Sequence, residues 1–183
     1  MNHVIRSIRS AEWPAVKELR LAALKDPVAH LAFLETYEDA AARPDSFWQE
    51  RAAGAALGTT ERQQFVAEGP DGVWAGTVTV LVEHAGSQDV WGQSVERSQG
   101  HVVGVFVRPE HRGSANGVAQ GLFDAAVEWC WAMGLEQVRL FVHEKNHHAE
   151  AFYRRIGFLA TGGTAPVPGD EASLELEFAI ERS

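Results

Sequence analysis

The hydrophobic positions of this chain change period several times, and each change marks an element. Val118, Leu122, Ala125, Ala126, Trp129, Cys130 and Met133 recur at offsets of three and four, which places them on one face of a helix that packs on a sheet. Gly134 follows as a stop, because a helix C-terminus often needs a left-handed residue. Upstream, the apolar run VVGVFV from Val102 reads as a strand, broken at Arg108-Pro109 by the turn EHRGSANG. Downstream, Val138, Leu140 and Val142 alternate with Gln137, Arg139 and Phe141 as a further strand. Asn146 then caps a helix carrying Ala149, Phe152, Tyr153 and Ile156, and Gly157 ends it.

The flanks are read in the same way. Val4, Ile5 and Ile8 predict an opening strand, and Ser10 is placed to cap a helix with Pro14 in its first turn and Val16, Leu19 and Ala23 inside. Asp26-Pro27 closes that helix, and a second runs from Asp45 through Phe47, Trp48 and Arg51 toward Leu57. The stretch between them shows no clear period. Gln64 to Ala67 and Val73 to Val82 predict a hairpin about Gly69-Pro70-Asp71-Gly72. The polar segment GSQDVWGQSVERSQG reads as an exposed connection, TGGTAPVPGDEA as a loop, and Leu174, Leu176, Phe178 and Ile180 as a last strand. Hairpins in front and strand–helix alternation behind predict an α/β (α+β) domain: a mixed sheet covered by helices.

Length and charge narrow the classes. A chain of 183 residues fits one domain spanning residues 1–183, with no need of a second core. A net charge of -9 disfavours nucleic acid, whose recognition needs a basic field, and makes a cationic or neutral substrate the easier one to accommodate. The single cysteine, Cys130, excludes an internal disulfide and reads as a packing residue. The first ten residues lack a signal-peptide core and no apolar run suits a membrane span, so a soluble cytoplasmic protein with no membrane partner is expected.

Chemistry concentrates at the turn after Val107. The first amides of a helix have no intrahelical acceptor and carry about half a positive charge, so an anion belongs there. Gly113, Ser114, Ala115 and Gly117 have little side chain to keep an oxygen-rich ligand from the amides, and Arg108, His111 and Arg112 bring cations nearby. Neither the Gly-Lys-Ser/Thr of a kinase-type P-loop nor the G-x-G-x-x-G of a dinucleotide fold is present.

Arg112-Gly113-Ser114-Ala115-Asn116-Gly117 resembles the phosphate loop of the GCN5-related N-acetyltransferase (GNAT) family, Arg/Gln-x-x-Gly-x-Gly/Ala, with Ala115 in place of the first glycine. Asn146-His147-His148-Ala149 leading to Tyr153 and then Gly157-Phe158 resembles the family's second motif. The resemblance covers nearly the whole chain and implies a sheet of about six or seven strands with about four helices. It implies an acetyl-CoA-dependent N-acetyltransferase acting on a small amine, with an acetyl-CoA-binding core over about residues 100–160 and a possible homodimer. Coenzyme A would lie between the strands at 102–107 and 137–142, which splay apart in such proteins. Val105, Phe106 and Val107 would meet the pantetheine and the acetyl carbonyl, and amides from Arg112 to Val118 the pyrophosphate. Tyr153 is implied as the acid that protonates the leaving thiolate, with Asn146 as helix cap and cofactor contact. Glu83 and His84 are the expected bases, with His101 in reserve, and Phe33, Glu35 and Tyr37 would line the acceptor side. Members that acetylate protein N-termini commonly have a glutamate where this chain has Phe141, which favours a small-molecule acceptor.

Two other readings compete. His143-Glu144-Lys145-Asn146-His147 spells H-E-x-x-H, but the zinc-protease motif needs both histidines on one helix, and here a strand-to-helix junction is expected between them. A module that binds or senses acyl-CoA without turnover is the non-enzymatic alternative, with Tyr153 as its discriminator.

Overall fold

The computed structural model describes residues 2–33 and 35–183. Seven strands form one mixed sheet: β1 (Val4–Ser7), β2 (Arg62–Glu68), β3 (Trp74–Glu83), β4 (Gln99–Val107), β5 (Gln137–His143), β6 (Leu159–Val167) and β7 (Asp170–Glu181). Their order across the sheet is β1-β2-β3-β4-β5-β7-β6. Every neighbouring pair is antiparallel except β4 and β5, which run parallel as the crossover through a helix requires. Among the described residues six α-helices cover it: α1 (Trp13–Leu24), α2 (Ala29–Ala32), α3 (Tyr37–Ala41), α4 (Asp45–Ala55), α5 (Val118–Ala132) and α6 (His147–Arg155).

Strand alternation divides the apolar residues into two cores. Val78, Val80, Val102, Val138 and Leu140 face α5 and α6, where Leu122, Phe123, Ala126, Cys130, Tyr153 and Phe158 fill the interior. On the other face, Ile8, Val66, Trp74 and Phe106 pack against Val16, Leu19, Trp48 and Ala52 of α1 and α4. The helical period expected after Gly117 is met over Val118–Ala132, and Gly134 ends the helix at φ 84°. Gly157, at φ 104°, ends α6 in the same way.

Three expectations fail for physical reasons. Ser10 does not cap α1. It opens a short 3-10 turn, Ser10–Glu12, and the Glu12 carboxylate instead accepts from the Arg9 amide at 2.8 Å. The run from Thr161 to Ala172 is not a loop but the β6–β7 hairpin; β6 is an outer edge strand, where Pro166 removes no ladder hydrogen bond and glycines lose little packing. The segment after Glu83 is not merely an exposed connection, because Val95 is buried and Asp89 reaches inward to Arg139. The unreadable stretch after Asp26 holds the short helices α2 and α3, each too brief to show a period. Among the described residues no helix is long and apolar enough to cross a membrane.

Candidate active site

The parallel β4–β5 ladder is short. Gly100 pairs with Val138, His101 with Arg139 and Val102 with Leu140, and there the pairing stops. Beyond that point each strand keeps its outer partner, β4 holding β3 as far as Val107 opposite Gly76 and β5 holding β7 as far as His143 opposite Glu175. The fork is therefore held open by its flanking ladders rather than by a loose end. Its cause lies in β4, where the two residues between Val103 and Phe106, Gly104 and Val105, lie opposite the single residue between Thr79 and Thr77 on β3, Val78. Gly104 stands in this bulge at φ 62°, a left-handed conformation that only glycine adopts at little cost, and a bulge bends its strand. Val103, Gly104 and Val105 are partly exposed between buried neighbours, so they floor the fork. A glycine isolated in an apolar strand was the available sign of this bend.

At the end of β4 the chain turns through Pro109–His111 and enters α5 at Gly117, whose φ is 65°. Gly113 is also left-handed, at φ 102°. Asn116 ties the turn to itself, its amide donating to the Gly113 carbonyl at 3.1 Å and its side-chain nitrogen to the Arg112 carbonyl at 2.9 Å. Among the described residues, nothing accepts from the amides of Gly113, Ser114 and Ala115 or from those of Gly117, Val118, Ala119 and Gln120. Seven amides of this turn are thus without an acceptor, four of them at the positive end of a 15-residue helix. Ala115 is exposed and makes no part of the core.

The cations expected at this turn are spent on holding it in place. Arg112 donates from Nε to the Val107 carbonyl at 2.8 Å and from its terminal nitrogen to Asp26 at 2.6 Å. Arg108 likewise bonds the Trp74 carbonyl and Glu18. Burial opposes charge on Asp26, but the Arg112 hydrogen bond and the Val28 amide hold its carboxyl below the usual range. The donors left free at this turn are therefore main-chain amides at the positive end of α5.

Tyr153 lies on the α5 side of the fork. Its ring is packed by Phe123, Phe152, Phe158 and Phe178, while its hydroxyl has no hydrogen-bond partner within the described chain. Burial, and then the charge of Glu175, pushes its phenol well above the ordinary tyrosine value, so it stays protonated at neutral pH. Asn146 caps α6 by accepting from the Ala149 amide at 3.3 Å.

On the opposite face stands a buried polar cluster. The Glu83 carboxylate receives hydrogen bonds from Gln99 at 3.1 Å, from His101 Nδ1 at 3.1 Å and from Arg139 Nε at 3.0 Å. Burial opposes its ionisation, yet the His101 hydrogen bond and the Arg139 guanidinium hold its carboxyl below the usual range. Arg139 also binds Asp89 at 2.9 Å and Glu177 at 2.8 Å. Trp91 and Phe141 wall in His101, with ring centroids 5.7 and 5.6 Å away. His84 is exposed beside Glu61, outside this cluster.

A small cavity of about 20 Å³ opens on the same face beside the bulge. Arg20, Phe33, Arg51, Gln64, Thr79 and Gly104 are among its walls. Of the expected acceptor residues, Phe33 lines it. Glu35 stands behind, bonded to Arg20 and Arg43 at 2.9 Å each, and Tyr37 stacks under Lys25. A larger cavity of about 140 Å³, between Phe123, Glu128 and Ile156, touches neither fork nor turn. The H-E-x-x-H letters are divided as expected: buried His143 ends β5 and accepts from the Lys145 amide, while exposed His147 opens α6 and meets Glu150.

Comparison with known proteins agrees with this geometry. A family model described as Acetyltransferase (GNAT) family matches residues 13–158. A GNAT phosphinothricin acetyltransferase from Sinorhizobium meliloti, crystallised with acetyl-CoA, superposes with a TM-score of 0.71 at 16% identity, over 99% of this chain and 89% of that one. A GNAT acetyltransferase from Streptococcus pneumoniae gives 0.67 at 17% identity over 99% of this chain and all of the other. A putative acetyltransferase from Salmonella typhimurium, solved with acetyl-CoA, gives 0.64 at 16% identity over 99% and 94%. The chain belongs to the GNAT acetyltransferase family. Membership makes it an acetyl-CoA-dependent acyltransferase.

Proposed function

We propose that the protein transfers an acetyl group directly from acetyl-CoA to the primary amine of a small molecule, at the fork between β4 and β5. The observation that carries this reading is the array of unpartnered amides at the α5 turn, opening next to a fork in the strand that leads into it. Acetyl-CoA supplies an activated acetyl thioester. Amides from Gly113 to Gln120 hold its pyrophosphate, and the open main chain from Val103 to Val107 receives the pantetheine and acetyl groups.

Acid and base approach from the two faces of the sheet. Tyr153, kept protonated by burial, donates its hydroxyl proton to the leaving sulfur. His101 takes the amine's proton at Nε2, because its Nδ1 is engaged with Glu83. Glu83 is then a positioning residue: three hydrogen bonds and a depressed carboxyl make it a poor base in its own right. His84 has no part in this scheme.

The test is thermal stabilisation by acetyl-CoA against ATP and NAD, followed by thiol release over a panel of amines. Saturating acetyl-CoA, at about 100 times its Kd, is worth about 2.7 kcal/mol, or roughly 5–10 °C in a domain of this size. No shift refutes the reading. A shift without amine-dependent thiol leaves a binding module in place of an enzyme.

A further inference from the structure

Among the described residues Arg51 is the only arginine at least partly withdrawn from water that lacks a carboxylate partner. The others without one, Arg9, Arg62, Arg154, Arg155 and Arg182, are all exposed to water. Arg51 sits on α4 and lines the cavity beside the Gly104 bulge, with Trp48 at 5.8 Å its cation–π neighbour. Around it, three guanidinium groups, those of Arg20, Arg43 and Arg51, face the single carboxylate of Glu35. Burial and the repulsion of Arg20 pull its guanidinium down to about 10, so it remains charged at neutral pH while bearing an unrelieved desolvation cost. Thr79, in the same wall, makes no side-chain hydrogen bond among the described residues.

The same sheet face carries the opposite imbalance farther along. Pairing places Gln64 opposite Thr79 on β2 and β3, and His101 opposite both Leu81 and Arg139, so the cavity and the Glu83 cluster share one face. In that cluster three carboxylates, Glu83, Asp89 and Glu177, surround one guanidinium, Arg139. The face thus has a cationic pole at Arg51, beside Gly104 in the floor of the fork, and an anionic pole behind His101. An amine bearing an oxyanion is the ligand that answers both poles.

We infer that the acceptor is a small amino acid-like molecule whose carboxylate, or an equivalent oxyanion, is received by Arg51 while its amine faces His101. This rests on the transferase reading above and names its substrate class. A guanidinium fork suits a planar oxyanion, and an apolar neighbourhood strengthens the pair.

The experiment compares amino acids with their decarboxylated counterparts, L-phenylalanine with phenethylamine and L-methionine with 3-(methylthio)propylamine, by thiol release and by thermal shift. The carboxylated member of each pair leads by at least about tenfold in kcat/KM, equivalent to about 1.4 kcal/mol. Arg51→Gln erases that gap through KM, and Arg51→Lys restores part of it. Without acceptor, Arg51→Gln melts at or above the wild-type temperature, since it removes an unpaired charge; a structural arginine would lower it. Acetyl-CoA stabilises both variants as it does wild type, which separates this proposal from the transferase reading. The inference is overturned if decarboxylated amines are preferred, if Arg51→Gln slows both members of a pair alike, or if it abolishes the acetyl-CoA shift.

Discussion

The tightest packing around the fork is at Gly100, and its replacement by alanine tests whether α5 is positioned by direct contact with β4. A methyl group built there meets Cys130 Sγ at 2.6 Å, Val80 Cγ1 at 3.3 Å and Val138 Cγ2 at 3.6 Å. The backbone at Gly100 is not left-handed, so the whole cost is steric. Ordinary contacts between such atoms lie at about 3.5–4.0 Å, so helix or strand must move by about 1 Å in a close-packed interior. Overpacking of this kind costs about 1–3 kcal/mol, or roughly 2–12 °C in melting temperature. Cys130, fully buried with its thiol pushed up to about 12 by burial, is the atom in the way. Cys130→Ala alone costs on the order of 1 kcal/mol, and the double variant recovers most of the loss from Gly100→Ala, a coupling of about 1 kcal/mol or more. Urea melts read this as a shift of midpoint at constant slope. Because α5 carries the turn amides, acetyl-CoA affinity falls in Gly100→Ala and returns in the double variant. Strictly additive stabilities would refute the contact argument.

Further outcomes follow from the same geometry. Tyr153→Phe lowers kcat by about 10²–10⁴ with acetyl-CoA affinity unchanged in calorimetry, because a proton donor is lost while ring packing is kept; an unchanged rate removes Tyr153 from the chemistry. Arg139→Met leaves Glu83, Asp89 and Glu177 uncompensated and destabilises by about 3–5 kcal/mol in urea melts. Folded-state carboxyls at Glu83 and Asp89 titrate below their unfolded values, so wild-type stability from this cluster is present above about pH 4 and is lost as pH falls through the carboxylate range. That acid loss is much smaller in Arg139→Met. Asp26→Asn frees the Arg112 guanidinium and weakens acetyl-CoA binding about tenfold by loosening the turn; an unchanged Kd would show the turn to be held by its backbone alone.

What could be read from the sequence was what local chemistry decides. Asn146, Gly134 and Gly157 announce helix ends because caps and left-handed stops act over a few residues, and the structure keeps all three. The strand-to-helix turn at Gly113 to Gly117 was legible for the same reason. The β6 strand was not, because its glycines and Pro166 are tolerated only through its place at the sheet edge, which is a tertiary fact. Asp89 and Trp91 sit in a polar segment with no period; Asp89 meets Arg139, 50 residues away in sequence, and Trp91 packs on His101 and Phe141. Glu83 is an expected base from the sequence, but its three hydrogen-bond partners come from β4 and β5, and these long-range contacts are what the proposed scheme reads as support for His101.

Net charge bears on the acceptor only at long range, and the reason is one of distance. A total of -9 describes the field far from the surface, where a zwitterionic amino acid experiences little net force. Between solvent-exposed charges the field decays over about 8 Å at physiological salt, whereas a cleft screens its own lining less, so the local sign is set by whichever neighbours remain unpaired. Here the acids near the turn are consumed, Glu18 by Arg108, Asp26 by Arg112 and Glu35 by both Arg20 and Arg43, so that a positive excess survives at Arg51 in an acidic protein. The inferred acceptor with an anionic group thus differs from the cationic or neutral one that the chain's acidity suggests, and the paired amines with and without a carboxylate decide between the two.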